Sequence, residues 1–138
     1  MMDEQTTTEQ KQHILVVDDS EDMRDLLQRL LERAGYRVIL AADGQASLTQ
    51  AKRHHPDLVL MDLSLPDMDG WEAVRHLRKM REFATIPIIA VTAHVSPREA
   101  ERAMAAGCTA HIGKPFDTRV LLQEVARLLT KRRSVHGT

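Results

Sequence analysis

The stretch DLVLMD, residues 57–62, sets four consecutive apolar residues between two aspartates. Apolar runs recur along the chain at residues 14–17, 36–41, 86–91 and, more weakly, 110–112. Runs that are mostly continuous, rather than alternating apolar with polar residues, are typical of parallel strands covered on both faces. The sequence therefore predicts five strands of a parallel sheet.

Amphipathic segments lie between the apolar runs. In the clearest one, residues 23–34, apolar side chains recur at intervals of three and four residues, which places them on one face of a helix. Residues that commonly cap helices precede the predicted helices, and glycines follow two of them. These are Ser20, Asp43, Ser96 and Asp117 at the starts, and Gly35 and Gly107 at the ends. The alternation predicts an α/β fold: a doubly wound five-stranded parallel sheet with helices on both faces.

The composition argues against several kinds of partner and compartment. The formal net charge of −1 gives no electrostatic reason to expect a nucleic acid or a membrane surface as partner. No stretch approaches the roughly 20 apolar residues of a membrane span. The single cysteine, Cys108, excludes an internal disulfide and is expected to be a packing residue in a reducing compartment. We therefore expect a cytoplasmic globular protein.

The 138 residues fit one domain. Residues 1–12 are polar, lack the apolar core of a signal peptide, and are predicted to be a disordered N-terminal tail. The domain is expected to span residues 13–131, with a polar C-terminal tail at residues 132–138.

Polar residues stand where the predicted strands end. Asp18 and Asp19 follow the first strand, Asp62 ends the third, Thr92 ends the fourth, and Lys114 follows the fifth. Because the carboxyl ends of parallel strands share one edge of a sheet, these side chains should converge there. Carboxylates so close repel each other, and a divalent cation relieves the repulsion. All-oxygen ligands favour Mg²⁺.

A metal beside a carboxylate and a lysine suits phosphoryl transfer, in which charge neutralisation and positioning supply most of the catalysis. Asp62 is the best candidate nucleophile, since it ends the middle strand and a Pro/Gly-containing loop follows it. Lys114 offers a point charge to a phosphoryl oxygen, and Thr92 offers a hydroxyl. The Lys114–Pro115 bond has access to the cis form, and the sequence leaves its isomer open.

Four motifs occur in order: VVDDSEDMR at residues 16–24, LVLMDLSLPDMDGWE at 58–72, VTAH at 91–94 and HIGKPF at 111–116. In order and spacing they resemble the signatures of bacterial two-component response regulator receiver domains, and of stand-alone, chemotaxis-regulator-like receivers in particular. The resemblance covers about residues 13–130. It implies a flavodoxin-like fold with strand order 2-1-3-4-5.

The resemblance also implies roles for the residues at the strand ends. Asp62 would accept a phosphoryl group from a phosphohistidine on a sensor histidine kinase or a histidine phosphotransfer protein. Asp18 and Asp19 would hold Mg²⁺, Asp19 more directly, together with Asp62 and the backbone carbonyl of Ser64. Thr92 would swing to bond the phosphoryl group and Lys114 would pair with it.

Phosphorylation in this family biases a two-state switch and reshapes the surface of the fourth helix, fifth strand and fifth helix. The expected output is contact with a downstream protein or onward phosphotransfer, by a monomer or a phosphorylation-dependent dimer. Such a protein catalyses only its own phosphorylation and dephosphorylation. His111 stands where many receivers carry Tyr or Phe, so it is either a switch residue or an ordinary, partly exposed histidine. Ser64 and His94 would tune the lifetime of the phosphoryl group.

Two other functions are weaker interpretations. A phosphohydrolase acting on small molecules would need a second aspartate two residues after Asp62 as general acid, and Ser64 stands there. A nucleotide-binding domain would carry a G-x-G-x-x-G motif after the first strand, and the sequence has none there.

Overall fold

In the computed structural model of the chain, the described residues are 11–63, 70–93 and 96–137, the last five by their backbone alone. The predictions for residues 1–10, for the Ser64 carbonyl and for His94 lie outside these ranges.

Five parallel strands form one sheet. They are β1 His13–Val17, β2 Arg37–Ala41, β3 Leu58–Asp62, β4 Ile88–Thr92 and β5 Ala110–Gly113. The strand order is β2-β1-β3-β4-β5, and every neighbouring pair is parallel. Both the five strands and the order that the resemblance implied are confirmed. The strand that ends in Asp62 lies at the centre of the sheet.

Five helices connect or follow the strands. They are α1 Glu21–Arg33, α2 Gly44–His54, α3 Gly70–Lys79, α4 Pro97–Ala106 and α5 Thr118–Gly137. A short 3-10 helix, Arg81–Phe83, precedes β4 and was not predicted. The side chains of Ser20, Asp43 and Ser96 each accept a hydrogen bond from the backbone N–H three residues later, as the capping prediction required.

Two aliphatic layers cover the sheet. Alternate residues of β1 point to opposite faces: Leu15 and Val17 pack with α2, α3 and α4, whereas Ile14 and Val16 pack with α1 and α5. Cys108 is buried in the first layer, where burial raises the pKa of its thiol to about 11. A neutral, buried thiol is unreactive, as expected of a packing residue.

Helix α5 continues through the polar segment after residue 131 as far as Gly137. Arg132 Nη1 donates to the carbonyl oxygen of Asp57 at 3.2 Å and to its Oδ1 at 3.3 Å. Asp57 Oδ2 in turn accepts from the backbone N–H of His13 at 2.8 Å. The end of α5 is therefore tied to the N-terminal edge of the sheet, opposite the edge where Asp62 lies.

Among the described helices, none has the length and apolar character that a membrane crossing requires.

Candidate functional site

Three carboxylates meet at the carboxyl edge of β1 and β3. The two strands pair in register through Val17 and Met61, so the residues that follow, Asp18 and Asp62, are neighbours. Asp18, Asp19 and Asp62 each place one carboxylate oxygen within 4.8 Å of the others. Asp18 is 3% exposed and Asp62 5%, whereas Asp19 is open to solvent. The convergence predicted from the strand ends is present.

Every polar atom of Asp18 has a partner. Its N–H donates to the Ala41 carbonyl at 3.1 Å, and its carbonyl accepts from Arg24 Nη1 at 2.8 Å. Its Oδ1 accepts from the Ser20 N–H at 2.9 Å and its Oδ2 from Lys114 Nζ at 3.1 Å. These bonds offset the cost of burying a charged group. Asp18 is thus fixed in both main chain and side chain.

Lys114 reaches the carboxylates from the loop after β5. Its backbone N–H donates to the Thr92 carbonyl at 2.7 Å, and its Nζ lies 3.4 Å from Asp62 Oδ2. Burial lowers the pKa of Lys114, but the hydrogen bond to Asp18 and the charges of Asp62 and Asp18 outweigh it, so that the pKa is raised. The side chain is therefore a cation at neutral pH. The Lys114–Pro115 bond is cis, which the sequence left open.

Thr92 ends β4 at the same edge and is 2% exposed. Asp62 pairs in register with Val91, which places Thr92 one residue beyond the partner of Asp62. The strand ends therefore bring the hydroxyl-bearing residue, the lysine loop and the three carboxylates to one corner of the sheet.

His111 lies within β5 rather than at its end, in register with Ala90 of β4. The residue is half-buried, and its Nε2 is buried without a hydrogen-bond partner within the described ranges. It sits two residues short of Gly113, the strand residue that pairs with Thr92. The structure thus separates it from the carboxylate cluster by part of a strand.

Comparison with known proteins identifies the family of this chain. The model for the response regulator receiver domain matches residues 14–126. The chain belongs to the response regulator receiver family. Receiver domains are signalling switches of two-component systems, bind Mg²⁺ at an acidic site, and act with histidine kinases or phosphotransfer proteins.

Individual relatives agree with this membership. The polar-differentiation response regulator DivK of Brucella ovis is 36% identical over 116 residues, which are 84% of this chain and 94% of DivK. The chemotaxis response regulator CheY4 of Vibrio cholerae is 33% identical with a TM-score of 0.82, over 86% of this chain and 98% of CheY4.

A third similar protein was solved with a metal. The receiver domain of sensor histidine kinase PA1611 from Pseudomonas aeruginosa is 34% identical with a TM-score of 0.81, over 87% of this chain and 98% of that domain. That structure holds a magnesium ion coordinated in its active-site cleft. The present receiver has an all-carboxylate oxygen cluster at its strand edge, which is a donor set suited to the same ion.

Two residues of this receiver site lie within the four motifs, but no role was predicted for them from the sequence. Gly70 begins α3, and a Cβ there would come within 2.5 Å of Leu63 Cα and closer still to the Asp62 carbonyl. The sequence did offer a signal for Gly70, because a glycine stands at the end of a loop and directly before residues with a helical pattern. Arg24, which bonds the Asp18 carbonyl, gave no such signal because the contact depends on how the β1–α1 turn closes.

Proposed function

We propose that Asp62 is the phosphoryl acceptor of this receiver and that its donor is a phosphohistidine on a sensor histidine kinase or a histidine phosphotransfer protein. The position of the Lys114 ammonium, 3.4 Å from Asp62 Oδ2, supports this most directly. It places a positive charge where the oxygens of a group carried by Asp62 would gather negative charge.

The transfer is a single displacement. An oxygen of the Asp62 carboxylate attacks the phosphorus, the P–N bond of the phosphohistidine breaks, and the imidazole nitrogen of the donor keeps the electron pair. The products are an aspartyl phosphate on Asp62 and an unphosphorylated donor histidine. Lys114 pairs with the transferred group, and the Thr92 hydroxyl donates to it. Hydrolysis of the acyl phosphate, catalysed by the same site, returns the receiver to its starting state.

The metal ligands we propose are the carboxylates of Asp18, Asp19 and Asp62 and the backbone carbonyl of Ser64. The exposed Asp19 is the most accessible of the three carboxylates, whereas Asp18 already satisfies its oxygens with Ser20 and Lys114. Asp19 would therefore contact the ion more directly. When bound, Mg²⁺ supplies charge that neutralises the carboxylates and the phosphoryl oxygens.

The output we propose is a change in the surface formed by α4, β5 and α5, with Thr92 and His111 as switch residues. Thr92 and the Lys114 loop are joined by a main-chain hydrogen bond, so movement at the phosphoryl site has a direct path to the end of β5. The switched surface contacts a downstream protein or supports onward phosphotransfer, as a monomer or a phosphorylation-dependent dimer. The compartment we propose is the cytoplasm, where the kinase and phosphotransfer partners act.

The acceptor is tested by incubating the protein with Mg²⁺ and a small acyl phosphate donor and counting phosphoryl groups by intact mass. We expect one group on the wild type and none on Asp62→Asn. Asp25→Asn, which changes an exposed aspartate on α1, is the matched control and should label like the wild type. Undiminished labelling of Asp62→Asn would sink the assignment.

The donor class requires a second experiment. Purified receiver is mixed with histidine kinases and histidine phosphotransfer proteins of the host that have been phosphorylated beforehand, and loss of label from each donor is followed over time. Rapid transfer from one kinase or phosphotransfer protein to the wild type, and none to Asp62→Asn, is expected. Acceptance from the small donor but from no histidine-phosphorylated protein would contradict the proposed partner.

A further inference from the structure

Arg24 closes the turn between β1 and α1 with its side chain. It is the fourth residue of α1, and its backbone N–H donates to the Ser20 carbonyl at 3.0 Å in the first turn of the helix. Its Nη1 reaches back to the Asp18 carbonyl at 2.8 Å, and the residue is half-buried. The guanidinium therefore bonds the main chain of the loop that carries Asp18 and Asp19. This bond closes the β1–α1 turn in addition to the hydrogen bond of the first helical turn.

The carbonyl that Arg24 holds belongs to the peptide unit between Asp18 and Asp19. A peptide unit is planar, so fixing its oxygen also fixes the direction of the N–H and Cα of the next residue. Asp18 is held through its other polar atoms by Ala41, Ser20 and Lys114. Asp19 is exposed, and the orientation of its carboxylate depends on the peptide plane from which it extends.

We propose that Arg24 is a positioning residue for the magnesium site. By holding the Asp18–Asp19 peptide plane, it keeps the Asp19 carboxylate within reach of Asp62 and prepares the oxygen cluster for the ion. This role rests on the magnesium site proposed above and adds a residue that touches neither the ion nor the phosphoryl group. Replacing residues that orient the ligands of a metal commonly weakens its binding by about ten- to a hundredfold.

The charge of Arg24 and its hydrogen bond to the Asp18 carbonyl predict opposite changes in Mg²⁺ affinity when the residue is replaced. A cation near three carboxylates lowers the negative potential that attracts Mg²⁺, so removing its charge alone would tighten metal binding. Removing the hydrogen bond releases the peptide plane and weakens binding. The sign of the change in the dissociation constant therefore separates the two effects.

The test is a Mg²⁺ titration of the metal-binding equilibrium itself, followed by amide chemical shifts in NMR spectra of the unphosphorylated protein. For Arg24→Gln we expect a dissociation constant roughly tenfold higher than that of the wild type. Arg24→Lys keeps the charge and should also bind more weakly. Arg29→Gln removes the same charge from an exposed position of α1 and is the matched control. It should bind Mg²⁺ at least as tightly as the wild type.

An Arg24→Gln dissociation constant equal to or below the wild-type value overturns the inference. Spectra without Mg²⁺ should differ from the wild type only near the β1–α1 turn, and if Arg24→Gln does not fold, Arg24→Lys decides by the same criterion. Asp19→Asn separates the two proposals. If Asp19→Asn loses the metal while both Arg24 variants keep wild-type affinity, the magnesium site stands and the role of Arg24 falls. A wild type that shows no Mg²⁺-dependent shifts overturns both.

Discussion

Lys114 Nζ lies 3.1 Å from Asp18 Oδ2 and 3.4 Å from Asp62 Oδ2, so one ammonium bridges the carboxylates of two neighbouring strands. Both carboxylates are nearly buried, whereas the lysine side chain is 24% exposed. The bridge offsets the repulsion between Asp18 and Asp62 before any ion or phosphoryl group arrives. In the unphosphorylated receiver the lysine that we propose pairs with the phosphoryl group therefore also stabilises the fold.

Replacing Lys114 should destabilise the protein. Lys114→Met leaves two buried carboxylates without their cation, which we expect to cost about 2 kcal/mol, below the usual cost of breaking a fully buried pair because the lysine is partly exposed. Urea unfolding at neutral pH without Mg²⁺ measures the change. Lys52→Met, at an exposed position of α2, is the control and should change stability little. Equal stability of Lys114→Met and the wild type would contradict the bridge.

The raised pKa of Lys114 predicts a loss of stability at alkaline pH. The folded-state pKa lies above the ordinary value of about 10.5, so the stabilisation is fully present below that value and is lost as the pH rises through the folded-state pKa. A lysine with a raised pKa sets a window of roughly pH 9 to pH 12. Across this window the free energy of unfolding should fall more steeply for the wild type than for Lys114→Met.

Tyr36 requires its own control in that experiment. Burial raises the pKa of its phenol, so the contribution of Tyr36 to the free energy of unfolding also changes as the pH rises through the alkaline range. Tyr36→Phe removes this contribution and should leave the difference between the protein with its native lysine and the Lys114→Met variant unchanged. A difference that disappears when both proteins also carry Tyr36→Phe would assign the alkaline loss to the tyrosine.

The elements that the sequence predicted well are those with a local signal. Continuous apolar runs placed all five strands, and the caps Ser20, Asp43 and Ser96 marked three helix starts. The 3-10 helix Arg81–Phe83 was missed because three residues are too few to show a periodic pattern. The carboxylate cluster was predictable because parallel strands bring their carboxyl ends to one edge.

Other contacts could not be predicted from the sequence, because they join distant parts of the chain or depend on the geometry of a turn. The polar residues after 131 carry no apolar stripe, so the continuation of α5 was not predicted. The contact of Arg132 with Asp57 joins residues 75 positions apart. The bridge from Lys114 to Asp18 spans 96 positions. The predicted strand ends place the two residues at one edge of the sheet, but the hydrogen bond between them depends on the geometry of the loop after β5.

Gly70 should be intolerant of any side chain. A Cβ would clash with the backbone of Asp62 and Leu63, which is unable to yield without moving Asp62. We expect Gly70→Ala to lower the free energy of unfolding by about 2–3 kcal/mol and to slow labelling of Asp62. Gly35→Ala is the comparison, since a Cβ there meets nothing within 4 Å and only its φ of +101° is strained. A smaller loss for Gly70→Ala than for Gly35→Ala would contradict the clash.

The Arg132–Asp57 pair should contribute modestly to stability. The two side chains are 25% and 37% exposed, so solvent screens their attraction, and we expect a coupling of up to about 1 kcal/mol. A double-mutant cycle with Arg132→Gln and Asp57→Asn isolates this coupling from the separate bond between Asp57 and the His13 N–H. The coupling should shrink at high salt. A coupling near zero at low salt would mean that the ion pair does not hold the end of α5 and that the bond of Arg132 to the Asp57 carbonyl holds it instead.

Mg²⁺ should stabilise the folded receiver, and Asp19→Asn should remove that effect. An ion that binds only the native state adds about 2.7 kcal/mol at one hundred times its dissociation constant. The exposed Asp19 carries little of the metal-free stability, and losing its charge relieves repulsion from Asp18 and Asp62. In chelator, Asp19→Asn should therefore be at least as stable as the wild type, whereas in excess Mg²⁺ it should be less stable. Thermal unfolding in chelator, Mg²⁺ and a matched concentration of NaCl measures both. An equal gain from Mg²⁺ in the two proteins would place the ion elsewhere.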